Sequence, residues 1–126
     1  MLFSVQNLRK YFPVRQGMWR KEKGLVHAVD GVSLSIPDNQ TIGLVGESGC
    51  GKSTLARLMM GLIKLDAGEI SLEERKISTS DSGQLRELRQ SVQMVFQDSA
   101  SAFDPRFTVR RILEEPLIIR RAKDEG

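Results

Sequence analysis

Residues Gly46 to Thr54 read Gly-Glu-Ser-Gly-Cys-Gly-Lys-Ser-Thr, and no other stretch restricts the possible folds as strongly. Gly46, Gly51, Lys52 and Ser53 keep the spacing G-x-x-x-x-G-K-[ST] of a phosphate-binding P-loop. A triphosphate needs many donors close to its oxygens, and a backbone wraps that tightly only where side-chain bulk is small. The glycines permit the turn and direct N–H groups inward. Lys52 brings a point charge to the β- and γ-phosphates, and Ser53 offers a hydroxyl to Mg²⁺. At ordinary glycine and lysine usage, a chance match in a chain this long is on the order of one in several hundred.

The flanks agree with the motif. Thr41-Ile42-Gly43-Leu44-Val45 is a short apolar run of the kind that forms a buried strand. Beyond the loop, Leu55, Leu58, Met59 and Leu62 fall at i, i+3, i+4 and i+7, which predicts one apolar face of a helix starting near Lys52. The loop would then lie at a helix N-terminus, whose free N–H groups and positive dipole end favour an anion. A glycine-rich turn with an incidental lysine is the alternative, and it leaves the agreement of motif and context unexplained.

The chain has 126 residues, enough for one domain with a real core. Its longest apolar stretch, Leu58 to Ile63, is too short to span a membrane. No signal peptide is visible behind Met1-Leu2-Phe3, and the single cysteine, Cys50, suits a reducing compartment. The net charge of +3 comes entirely from residues 1–45, with six basic and three acidic side chains; the remainder is balanced. Arg15, Arg20, Lys21 and Lys23 cluster beside Met18 and Trp19, a pattern read as a solvated loop ahead of a membrane-surface or phosphate patch.

Alternating apolar residues predict strands at Phe3–Asn7 and Val32–Ile36, and Pro37-Asp38-Asn39 predicts a turn. After the loop helix, Asp66-Ala67-Gly68 reads as a turn and Glu69–Leu72 as a strand. Gln84–Gln90 reads as a helix and Val92 to Phe96 as a further core strand. Phe107–Arg121 reads as a helix with Val109, Ile112, Leu113 and Leu117 on one side, ended or kinked by Pro116.

Further segments fall into line with one family. Val29-Asp30-Gly31-Val32-Ser33-Leu34 precedes the P-loop. Met94-Val95-Phe96-Gln97-Asp98, Asp104-Pro105-Arg106 and Glu114-Glu115-Pro116-Leu117 follow it. Together with the loop they resemble the ATP-binding subunits of ABC transporters, the dipeptide and oligopeptide importers of the peptide and nickel uptake group above all. The resemblance implies an α/β fold: the incomplete core of a P-loop nucleotide hydrolase with an N-terminal antiparallel β-subdomain. Residues 1–126 would be the N-terminal part of such an ATP-binding domain, truncated after the Q-loop.

The resemblance also implies roles. Phe12 aligns with an aromatic residue that stacks on adenine, with Tyr11 as the alternative; Phe12 could equally pack in the core. Gly46, Glu47, Ser48, Gly49, Cys50, Gly51, Lys52, Ser53 and Thr54 would line the ATP phosphates, Thr54 near the α-phosphate. Gln97 aligns with the Q-loop glutamine, which reaches Mg²⁺ and the attacking water and couples the nucleotide site to the membrane subunit. Lys52 and Gln97 are thus the expected catalytic residues, and Ser53 and Gln97 the expected groups on Mg²⁺. Departures from the family pattern are Asn39 and Glu74 at usual glycine positions, Ser99 in place of a proline, and Asp104 in place of an asparagine.

No Leu-Ser-Gly-Gly-Gln signature, Walker B strand or switch histidine follows Gln97 in this sequence. Ser80-Asp81-Ser82-Gly83-Gln84 matches the signature only at Gly83 and Gln84, and His27, ahead of the P-loop, reads as an ordinary strand residue. The resemblance implies a subunit that binds MgATP and drives peptide uptake from the cytoplasmic face of the membrane. Its expected partners are permease subunits, a second ATP-binding subunit and, indirectly, a solute-binding protein, with no nucleic acid. This chain alone would bind ATP without hydrolysing it. The alternatives are a non-hydrolytic nucleotide-binding module and a P-loop kinase or GTPase-like enzyme, against which Phe12, Gln97 and the basic segment speak.

Overall fold

The computed structural model describes residues 2–14, 24–97 and 103–124. The basic cluster at Arg15, Arg20, Lys21 and Lys23, with Met18 and Trp19, lies outside them, as do Asp98 and Ser99. The chain divides into two compact units, Met1–Gln93 and Met94–Gly126.

In the first unit, β1 (Phe3–Val14), β2 (Gly24–Ile36), β3 (Ala67–Leu72) and β4 (Arg75–Ile77) form an antiparallel sheet in the order β2-β1-β3-β4. Alternation puts Phe3 and Val5 of β1 on the core face, with Ile70 and Leu72 of β3 beside them. Strict alternation would then turn Leu8 outward. A bulge between Val5 and Leu8, with Asn7 at φ 49°, returns Leu8 to the core. The backbone N–H of Asn7 donates to Ser33 Oγ at 3.0 Å. Beyond the expected Phe3–Asn7 and Val32–Ile36, β1 and β2 continue pairing as far as Val14 opposite Gly24.

The two helices of this unit, α1 (Lys52–Met59) and α2 (Ser82–Ser91), cover the sheet with Leu55, Leu58 and Leu88. The expected face of α1 forms through Met59; Leu62 lies beyond the end of the helix and is exposed. Asp81 caps α2, accepting from the N–H groups of Gly83 (2.8 Å) and Gln84 (3.1 Å). The β3–β4 hairpin forms although Glu74 replaces a turn glycine, with Glu73 and Glu74 both left-handed at φ 48° and 67°. Asn39, at φ 57°, accepts the other glycine position in the same way.

Two expected strands do not form. Thr41–Val45 and Val92–Phe96 carry no ladder, and Val45 is 93% and Val95 90% exposed. Apolar composition alone does not make a strand, because its N–H and C=O groups need a neighbour. Neither segment finds one among the described residues. In the second unit, α3 (Val109–Asp124) runs through Pro116, which costs one bond to the carbonyl of Ile112 without ending the helix. Ahead of it, Asp104 accepts from the backbone N–H of Arg106 (3.0 Å) and from its guanidinium (3.0 and 2.7 Å), a charged pair that the family's asparagine would not form.

Candidate nucleotide-binding site

The segment Gly46–Cys50 is exposed, and α1 begins directly after it at Lys52. The Lys52 ammonium folds back over the loop. It donates to the carbonyls of Gly46 (2.7 Å) and Glu47 (2.6 Å) and lies 3.5 Å from Cys50 Sγ. No side chain caps α1, so its first-turn N–H groups and dipole end face the loop without a protein anion. Ser53 is exposed and Thr54 half-buried on that first turn.

Space confirms how tight the loop is. A β-carbon on Gly46 would stand 2.7 Å from Cys50 Sγ. At Gly51, φ is 98° and a β-carbon would run into the carbonyl oxygen of Ala28. The loop is therefore docked on β2 through a residue that only glycine satisfies. These features fit a phosphate group: a positive ammonium, uncapped helix N–H groups and a backbone free of bulk. Among the described residues no cluster of three or more His, Cys, Asp or Glu side chains could hold a metal by itself. A Mg²⁺ ion here would rest on Ser53 and on phosphate oxygens, the usual division for this ion.

The aromatic pair of β1 separates by role. The Tyr11 hydroxyl donates to Asp30 Oδ1 at 2.6 Å, and its ring lies 4.2 Å from that of His27, tilted by 33°. The bond to Asp30, with burial and the negative charge beside it, raises the Tyr11 pKa; the same bond, with that of His27, lowers the carboxyl of Asp30. Phe12 has no such ties and is 40% exposed, so it does not pack in the core. It pairs with Val26, two residues from Ala28, a separation of roughly 7 Å along a strand. Phe12 of β1 is thus held beside the stretch of β2 against which Gly51 packs.

Sequence reasoning passed over Asp66, which it read only as a turn residue. Its carboxylate accepts from Lys10 Nζ at 2.9 Å and from the backbone N–H of Tyr11 at 2.7 Å. Those bonds cross more than fifty positions, and no local signal announces them. Gln97 is exposed and belongs to the second unit.

The family pattern described as ABC transporter matches residues 29–125, most of the chain. The chain belongs to the ABC transporter family. It is 44% identical over 116 residues to the oligopeptide transport ATP-binding protein AppF of Bacillus subtilis, a match covering 91% of this chain and 35% of that protein. It is 38% identical over 120 residues to the oligopeptide transport ATP-binding protein OppF of Salmonella typhimurium, covering 93% and 36%. The chain spans about a third of the length of these curated relatives. Among solved structures, the dimeric post-hydrolysis form of the ATP-binding cassette MJ0796 with ADP and Pi matches with a TM-score of 0.71 and 26% identity. That match covers 94% of this chain and 47% of the cassette. The α/β fold class of an incomplete P-loop hydrolase core with an antiparallel N-terminal sheet therefore stands.

Proposed function

We propose that this chain is the N-terminal part of an ATP-binding domain and supplies the nucleotide cradle of an ABC subunit that energises peptide import. The observation carrying this reading is the Lys52 ammonium, held over an exposed glycine loop at the uncapped start of α1. The similarity to two oligopeptide transport ATP-binding proteins supports peptides as the transported class. Gly46–Thr54 surround the phosphates, Lys52 pairs with the terminal ones, and Phe12 stacks on adenine. When bound, Mg²⁺ would supply positive charge to the phosphate oxygens, with Ser53 as its contact in the first unit and Gln97 proposed as a second contact in the full subunit. Gln97 also orients the attacking water in the full subunit. The subunit works at the cytoplasmic face of the membrane, with permease subunits and a second ATP-binding subunit. No described helix is long and apolar enough to cross a membrane itself.

Titration of ATP into the native chain and Lys52→Ala tests the cradle. Loss of a charge-assisted bond is expected to weaken binding by about 1.5–3 kcal/mol; equal affinities in two variants of matched circular dichroism would refute it. Phosphate release is measured on the same samples. Lys52, Ser53 and Gln97 without a general base are expected to bind nucleotide and release no phosphate above the Lys52→Ala background. Multiple turnover abolished by Lys52→Ala would overturn the non-hydrolytic part of the proposal.

A further inference from the structure

Asp66 ties three consecutive residues to itself immediately before Phe12. Its backbone N–H donates to the carbonyl of Arg9 at 3.1 Å. One carboxylate oxygen takes the ammonium of Lys10 and the other takes the N–H of Tyr11. The Lys10 side chain is largely buried, and its ammonium lies 5.5 Å from the centroid of the Phe12 ring. The N–H of Tyr11 and the charge of Lys10 hold the Asp66 carboxyl below its ordinary range, so it is an anion at neutral pH. Asp66 follows α1, whose first turn carries the P-loop lysine, and precedes β3.

We infer that Asp66 is a positioning residue for adenine: it fixes the backbone at Lys10 and Tyr11 and seats the Lys10 ammonium against Phe12, so that the ring is presented in one orientation. The ammonium lies where ring-face charge strengthens contact with a π-system. Without the Asp66 carboxylate the strand end loses two of these ties and the ammonium loses its counter-charge. The inference rests on the adenine-stacking reading of Phe12 and assigns its support to a residue outside the motif.

Calorimetric titration of the 126-residue chain with Mg-ATP and with Mg-tripolyphosphate, which has no base, separates orientation from folding. Asp66→Ala is expected to weaken ATP roughly three- to ten-fold, the range of an aromatic contact, and to leave tripolyphosphate unchanged. Asp66→Asn keeps an acceptor for the Tyr11 N–H but not the charge, and is expected to fall between native and Asp66→Ala. It decides the matter if Asp66→Ala shows no cooperative melt. In a Phe12→Ala background, Asp66→Ala is expected to add nothing further. Equal losses for ATP and tripolyphosphate, or additive losses in the double variant, would overturn the inference. If Phe12→Ala weakens ATP and neither Asp66 variant does, the positioning role alone fails. If Phe12→Ala leaves ATP unchanged, the stacking reading fails and the positioning role with it.

Discussion

Gly51 sits at φ 98°, with the carbonyl oxygen of Ala28 where a β-carbon would stand. Two separate obstacles therefore oppose any side chain: a left-handed backbone and a collision with strand β2. Gly51→Ala is expected to cost about 1–3 kcal/mol of stability from backbone strain alone, and more if β2 must shift. Urea unfolding followed by fluorescence measures it, and an unchanged midpoint would mean that the loop is not docked on β2. The motif spacing marked Gly51 as a turn glycine. It did not reveal the contact with Ala28, because the partner lies 23 positions earlier and only the fold brings it near. Phe12 shows the same limit: its residue type was legible, but its exposure depended on Tyr11 being the ring engaged by Asp30 and His27.

Elements whose bonds are internal were the legible ones. Helix α1 follows from the spacing of Leu55, Leu58 and Met59, and α2 from Leu85 and Leu88. Strands depend on neighbours, so Thr41–Val45 and Val92–Phe96 read as strands and are not, whereas β1 and β2 outrun their apolar cores because they have each other. The cap of α2 carries a pH signature. The N–H groups of Gln84 and Gly83 hold the Asp81 carboxyl below its ordinary value of 3.8. Its folded pKa lies below its unfolded one. Its contribution is therefore complete above 3.8 and is lost as pH falls through the lower folded value. Asp81→Ala is expected to lower the melting temperature at pH 7, and the gap from the native chain is expected to shrink at pH 3. Melting curves at the two pH values check this; a gap independent of pH would remove the charge from the argument.

At the scale of the whole molecule, every buried core residue among the described residues lies between Phe3 and Leu88, inside the first unit. A chain ending at Gln93 is therefore expected to keep a cooperative thermal transition within a few degrees of the full chain, since no core side chain is removed. Loss of that transition in scanning calorimetry would show that residues 94–126 contribute to the core. In the two segments without a ladder, Val45 and Val95 lie almost fully in water. Such a surface leaves melting behaviour untouched and governs colloidal behaviour instead. Unladdered, β-branched backbone offers other copies of the chain a template for pairing, and a net charge of +3 gives little repulsion against it. Concentration, more than temperature, therefore sets how long a solution of this chain stays clear.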